Sequence, residues 1–146
     1  MELKLKQCVS LHNLLNPAKL TKVDDVDKFK LIKLMKELKL IVQPYEDFEK
    51  DAKERLKPEN FDKILENAQK WQREGAETTL TDDEKIEVNT VLGKYERDVT
   101  ECLTDELNKS VTLSIEAFSE DAINKLIASN DTWTIGSCYE LLSVLA

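Results

Sequence analysis

Turn-forming residues are scarce: three glycines and three prolines in 146 residues. That argues against a strand-rich sandwich or barrel and points to long helices. Gly75, Gly93 and Gly136 stand apart, so there is no glycine-rich loop to cradle a nucleotide phosphate. Histidine occurs once, as His12, which leaves an acid–base pair or a nucleophile triad a single candidate. Cys8, Cys102 and Cys138 are odd in number, widely spaced and without a CxxC pair. They argue against a disulfide framework or a zinc site and suit a reducing compartment. No apolar run reaches membrane-spanning length, and Met1 to Gln7 alternates lysine with leucine instead of forming the apolar stretch of a signal peptide.

What is abundant is charge and leucine. Apolar residues make up 41% and charged residues 34%, a balance suited to a soluble helical protein long enough to bury a core, expected as one domain over residues 1–146. The net charge of -8 disfavours direct nucleic-acid binding. The charge is uneven, because residues 1–40 carry nine lysines against five acidic residues, a net of +4. That segment either complements the acidic remainder inside the fold or presents a basic face to a partner.

The hydrophobic spacing predicts a mainly α fold: an antiparallel long-helix hairpin, extra amphipathic helices, and a short two-stranded β element joining the N-terminus to residues 111–115. Leu3 and Leu5 alternate with lysines as in a strand, and Val111, Leu113 and Ile115 alternate with Thr112 and Ser114 to form its partner. A short helix is expected from Cys8 to Leu15, closed by Asn16-Pro17. The long helix runs from about Val23 to Leu56, with Leu31, Leu34, Leu38, Ile41, Tyr45, Phe48, Ala52 and Leu56 on one stripe. Pro44 lacks the N–H that would bond to Leu40, so a kink or a break is expected there. Residues 59–74 form a further amphipathic helix, with Gly75 as its C-terminal cap. Thr81 and Glu84 have the capping-box spacing ahead of a stripe of Val88, Val91, Leu92, Tyr95, Val99, Cys102, Leu103 and Leu107. Gly93 interrupts that helix, as it would where a neighbouring helix passes close by. Ser119 and Thr134 cap two last helices, the second carrying Ile135, Cys138, Tyr139, Leu141, Leu142 and Leu145.

No catalytic, cofactor-binding or metal-binding set is expected. Cys8 and His12 lie one helical turn apart, yet nothing nearby supplies further ligands. The acidic clusters, Glu46 to Asp51 and Asp82 to Glu87, fall at helix starts or on solvated faces and lack a calcium-loop spacing. The candidate functional residues are of another kind. Phe29, Ile32 and Leu40 sit among Lys33 and Lys36 on the side of the long helix away from the core stripe, and three apolar residues on one exposed face require an explanation. Trp133 falls in a turn, where such a side chain either packs on the helices or meets a partner.

The order of these parts resembles small uncharacterised helical proteins of bacteriophages and prophages. The residues that carry the resemblance are the Lys/Leu-alternating Met1 to Lys6, the lysine-rich helix Lys28 to Lys39, the helix from Lys94-Tyr95-Glu96-Arg97 through Glu106-Leu107, and the strand and two leucine-rich helices of Val111 to Leu145. Pro44 and Trp133 depart from the pattern. The resemblance implies phage origin and a place in the bacterial cytoplasm or the virion, with a role in particle assembly or against a host system. The expected activity is non-enzymatic protein–protein interaction, with a host defence complex or a phage structural protein as partner. Inhibition of defence fits an acidic surface that competes for a nucleic-acid channel; a small enzyme without a recognisable motif is the alternative. If Phe29, Ile32 and Leu40 are left uncovered by the chain itself, a helix-mediated dimer, a homo-oligomer of this chain, is the simplest cover.

Overall fold

A computed structural model describes residues 1–146. The elements in order are β1 (Glu2–Lys4), α1 (Leu5–Leu15), α2 (Asp25–Arg55), α3 (Phe61–Glu74), a 3-10 turn (Gly75–Glu77), α4 (Asp82–Leu107), β2 (Ser110–Thr112), α5 (Glu120–Ala128) and α6 (Ile135–Leu145). No helix is long and apolar enough to cross a membrane. The chain clusters into two compact units, residues 1–46 with 106–146, and residues 47–105.

In the first unit the start of the chain is tied to the segment that follows α4 by the antiparallel pair β1 and β2, with Leu3 opposite Val111. The ladder continues past the strands, because the Met1 ammonium donates to the Leu113 carbonyl at 3.0 Å and the Leu113 N–H donates to the Met1 carbonyl at 2.7 Å. Both strands are shorter than the alternation predicts. Leu5 belongs to the first turn of α1, three residues ahead of the expected helix start, and its N–H donates to the Lys109 carbonyl. The Gln7 side chain accepts from the Lys4 N–H and so satisfies a donor at that helix start.

The core of this unit gathers Leu5, Cys8, Leu11 and Leu15 of α1, Leu31, Leu34, Leu38, Val42 and Tyr45 of α2, and Ile123, Leu126, Leu141 and Leu145 of α5 and α6. Within this unit one position in the long stripe differs from expectation, Val42 being buried and Ile41 only half-buried; farther along the stripe Phe48 and Leu56 are half-buried as well. At about 100° per residue Ile41 and Val42 flank the centre line of the stripe on opposite sides, and the packing covers the Val42 side. The helix is unbroken at Pro44, which lies inside α2.

The second unit is simpler. α3 and α4 run antiparallel, with Phe61 at the start of α3 against Tyr95 (ring centroids 4.8 Å apart) and Trp71 near its end beneath the Lys85 ammonium. The Tyr95 hydroxyl donates to the Lys53 carbonyl in the last turns of α2 at 2.8 Å. Three helical segments cannot cover a whole seam. Of the expected α4 stripe, Val88 and Val99 are buried, whereas Val91, Leu92, Tyr95, Cys102, Leu103 and Leu107 are half-buried. Gly93 is not a point of close helix approach. A Cβ built there meets only the Arg97 guanidinium, at 3.7 Å.

The caps follow the sequence closely. Thr81 Oγ1 accepts from the Glu84 N–H, and Glu84 Oε1 accepts from the Thr81 N–H, both at 3.1 Å. Ser119 and Thr134 accept from the N–H groups of Ala122 and Ser137. Gly75 closes α3 with φ of 60° and donates its N–H to the Trp71 carbonyl.

Candidate protein-binding face

The two faces of α2 within the first unit are chemically opposite. The inner stripe, Leu31, Leu34, Leu38 and Val42, is fully buried, and this burial fixes the rotation of the helix. The outer face is thereby forced into solvent. Phe29 is 61% exposed, Ile32 59%, Leu40 70% and Val26 80%. Lys33 and Lys36 are exposed between them. Positions 26, 29, 33, 36 and 40 advance by three and four residues in turn, so they form one straight seam with Ile32 beside it. The Lys33 ammonium lies over the Phe29 ring, 4.7 Å from its centroid, and shields part of that apolar surface.

Two concavities adjoin this face. Leu40 and Ile115 line an open groove of about 290 Å³ with Lys33 and Lys36 on its rim. Glu37 also lines it, but its carboxylate is engaged, accepting from the Ser114 N–H at 2.7 Å and from the Ser114 hydroxyl at 2.8 Å. The groove is therefore basic in what it offers a ligand. On the other side of Ile32, a cavity of about 120 Å³ is lined only by Leu15, Ala18, Leu20, Leu31, Ile32 and Met35. Its size suits one inserted apolar side chain. The sequence pattern marked Ile32 but not this cavity, because Ala18 and Leu20 come from an irregular loop with no periodicity.

Trp133 does not lie on α2. It sits half-buried on the turn between α5 and α6, and its N–H donates to the Asn130 carbonyl. A second uncovered apolar face lies on α6. Ile135 (89% exposed), Tyr139 (72%) and Leu142 recur at i, i+4 and i+7 on α6, among the apolar residues that the sequence gives this helix without assigning them a face. The apolar positions of α6 span too wide an arc for one face to bury, and Leu141 and Leu145 take the core side.

The cysteine, histidine and carboxylate side chains do not converge on one site. Cys8 is fully buried, and burial pushes its thiol pKa up, away from nucleophilic reactivity. His12 Nδ1 is buried without a hydrogen-bond partner. No group of three or more His, Cys, Asp or Glu side chains gathers at metal-binding range. The acidic run of α2 is taken up partly in pairs along the helix, Glu49 with Lys53 and Asp51 with Arg55. Glu84 is the cap acceptor of α4, and the hydrogen bond from the Thr81 backbone, followed by that of the Thr81 side chain, holds its pKa below the ordinary carboxylate value.

A structural network that the sequence did not reveal lies at the end of α5. Asn130, buried, accepts from the Lys19 N–H at 2.8 Å and donates to the carbonyls of Lys19 and Leu126 at 2.8 and 2.9 Å. Ser129 Oγ accepts from the Lys22 N–H at 2.9 Å and donates to the Lys125 carbonyl. Together they pin the loop between α1 and α2, and with it Ala18 and Leu20 of the apolar cavity.

No protein family, curated protein or solved structure matches this chain.

Proposed function

We propose that this chain is a non-enzymatic protein–protein interaction protein of a phage or mobile element. It acts in the bacterial cytoplasm by seating the outer face of α2 on another protein and occluding it, with a component of a host defence system as the target. The single observation that supports this reading is the exposed seam of Val26, Phe29 and Leu40, with Ile32 beside it, on a helix whose opposite face is buried core. Ordered, exposed apolar groups of this size gain roughly 1.5–3 kcal/mol each when a partner buries them, against the cost of association. Lys33 and Lys36 set the charge of the complementary surface as acidic. Trp133, half-buried on the turn between α5 and α6, is a further candidate contact.

The test is a photo-crosslinking residue at position 32 or 40 in the full chain, expressed in host cells during infection. The expected result is one defence-system adduct that disappears in a Phe29→Ser/Leu40→Ser variant. Adducts with phage structural proteins alone would reject inhibition of defence. They would favour the second reading, a virion assembly component, which draws support from the additional exposed face on α6.

A further inference from the structure

The outer face of α2 is a poor match for itself. Whether two copies pair in parallel or antiparallel, Lys33 and Lys36 of one helix meet those of the other at the middle of the seam. Like charges at the centre of a contact disfavour a two-fold dimer through α2. The face needs a partner that is apolar and acidic.

Such a surface exists on the same unit. Beside the α6 face, Ile123, Ile127 and Leu142 share an open groove of about 520 Å³ with Glu120, Asp121 and Asn124. Glu120 has no ion-pair partner, whereas Asp121 contacts Lys125 at 3.1 Å, and Lys125 is also held by Asp24 at 2.7 Å. Residues 116–146 carry five acidic groups against that one lysine, and residues 28–40 carry five lysines against Glu37. The two grooves thus have like architecture, an apolar floor with a charged rim, and opposite sign. They belong to one compact unit and both are open to solvent.

We propose that copies of this chain associate head to tail, the α5–α6 face of one copy seated on the outer face of α2 of the next. Ile135, Tyr139 and Leu142 cover Phe29, Ile32 and Leu40, and Glu120 and Asp121 approach Lys33 and Lys36. A contact between two different faces leaves one of each free at the ends, so it adds copies until a ring closes or a filament grows. The inference rests on the reading of α2 as a binding face and names a second copy as an occupant.

Sedimentation velocity on the full chain tests it. The wild type is expected to gain mass beyond a dimer as concentration rises, with association weakened at least tenfold by high salt. Lys33→Glu/Lys36→Glu blocks one face, and Ile135→Lys/Tyr139→Lys the other. Each variant alone is expected to be monomeric, and an equal mixture to give a 1:1 dimer and nothing larger, since one intact face remains on each. All the substituted side chains are exposed, and circular dichroism verifies folding. If a variant melts early, Phe29→Ser or Tyr139→Ser replaces it. A mixture that stays monomeric overturns the proposal, as does an α2-blocked variant that still dimerises through α6 alone. A monomeric wild type also overturns it, yet leaves the binding role of α2 intact, because that role is read by crosslinking to a different protein.

Discussion

Glu37 holds Ser114 by two atoms at once: one carboxylate oxygen accepts from the Ser114 backbone N–H and the other from its hydroxyl, at 2.7 and 2.8 Å. The residues are 77 positions apart in sequence. This clamp fastens the segment after β2 to α2 and shapes the groove under Leu40. Both bonds are charge-assisted but solvent-exposed, so Glu37→Ala should cost about 1 kcal/mol of stability. Urea unfolding measures the loss. Ser114→Ala, which keeps the backbone donor, should cost less than Glu37→Ala; equal or greater loss would show that the hydroxyl, and not the backbone bond, carries the clamp.

Asn130 predicts a larger effect. Its side chain satisfies both backbone groups of Lys19 and the Leu126 carbonyl while itself buried. Truncation to alanine leaves the part-buried Lys19 N–H and carbonyl without their side-chain partner and strips one bond from the buried Leu126 carbonyl, which keeps the Ser129 N–H, at a cost of about 2–4 kcal/mol. Asn130→Asp should also destabilise strongly, because it replaces two donated bonds with a charged acceptor facing carbonyls. Thermal melts of the two variants check this. A shift of a degree or less in either would mean that solvent already serves the Lys19 backbone.

How far the sequence carried the reading differs by element. The caps at Thr81, Ser119 and Thr134 and the glycine at the end of α3 are local chemistry, decided by three or four adjacent residues, and they were legible. So was the outer face of α2, because a helix that buries Leu31, Leu34 and Leu38 must expose Phe29 and Leu40. What could not be read depends on which neighbours arrive. The choice of Val42 over Ile41, the uncovered side of α6 and the open surroundings of Gly93 follow from packing between distant segments. The Asn130 network resembles any turn in sequence, since its Lys19 partner lies 111 residues away.

The N-terminal cap of α4 gives a pH-dependent signal. The Glu84 carboxylate is favoured in its charged form by the Thr81 backbone bond first and the Thr81 side chain second. A carboxylate with a lowered folded pKa contributes stability that is present above its unfolded pKa and lost as pH falls through the folded one. The cap should therefore hold at neutral pH and fray in acid, below the ordinary glutamate range. A carbon-detected NMR titration of Glu84 should place its midpoint below that of the exposed glutamates, and Thr81→Ala should move it part of the way back. A midpoint indifferent to Thr81→Ala would mean that the bond from the Thr81 backbone alone sets the shift.

Gly93 offers a stabilising change. It lies within α4, its φ is not positive, and a methyl group there would touch only the mobile end of Arg97 at 3.7 Å. Alanine removes backbone freedom from the unfolded chain and introduces no clash, so Gly93→Ala should raise stability by roughly 0.5–1 kcal/mol. The urea midpoint should rise with an unchanged slope. A destabilised variant would indicate that another surface, absent from the isolated chain, packs against that position.

The outer face of α2 should separate stability from function. Phe29 and Leu40 are mostly exposed, so serine at either position should leave the unfolding free energy within about 0.5 kcal/mol of wild type. Leu34 and Leu38, on the inner face and fully buried, should each cost about 2–5 kcal/mol when cut to alanine. Crosslinking from position 32 should fail in the Phe29→Ser/Leu40→Ser variant, although its melting curve matches wild type. If outer-face serines destabilised the protein as strongly as inner-face alanines, Phe29 and Leu40 would be part of its own core, and the binding role of the face would have no basis.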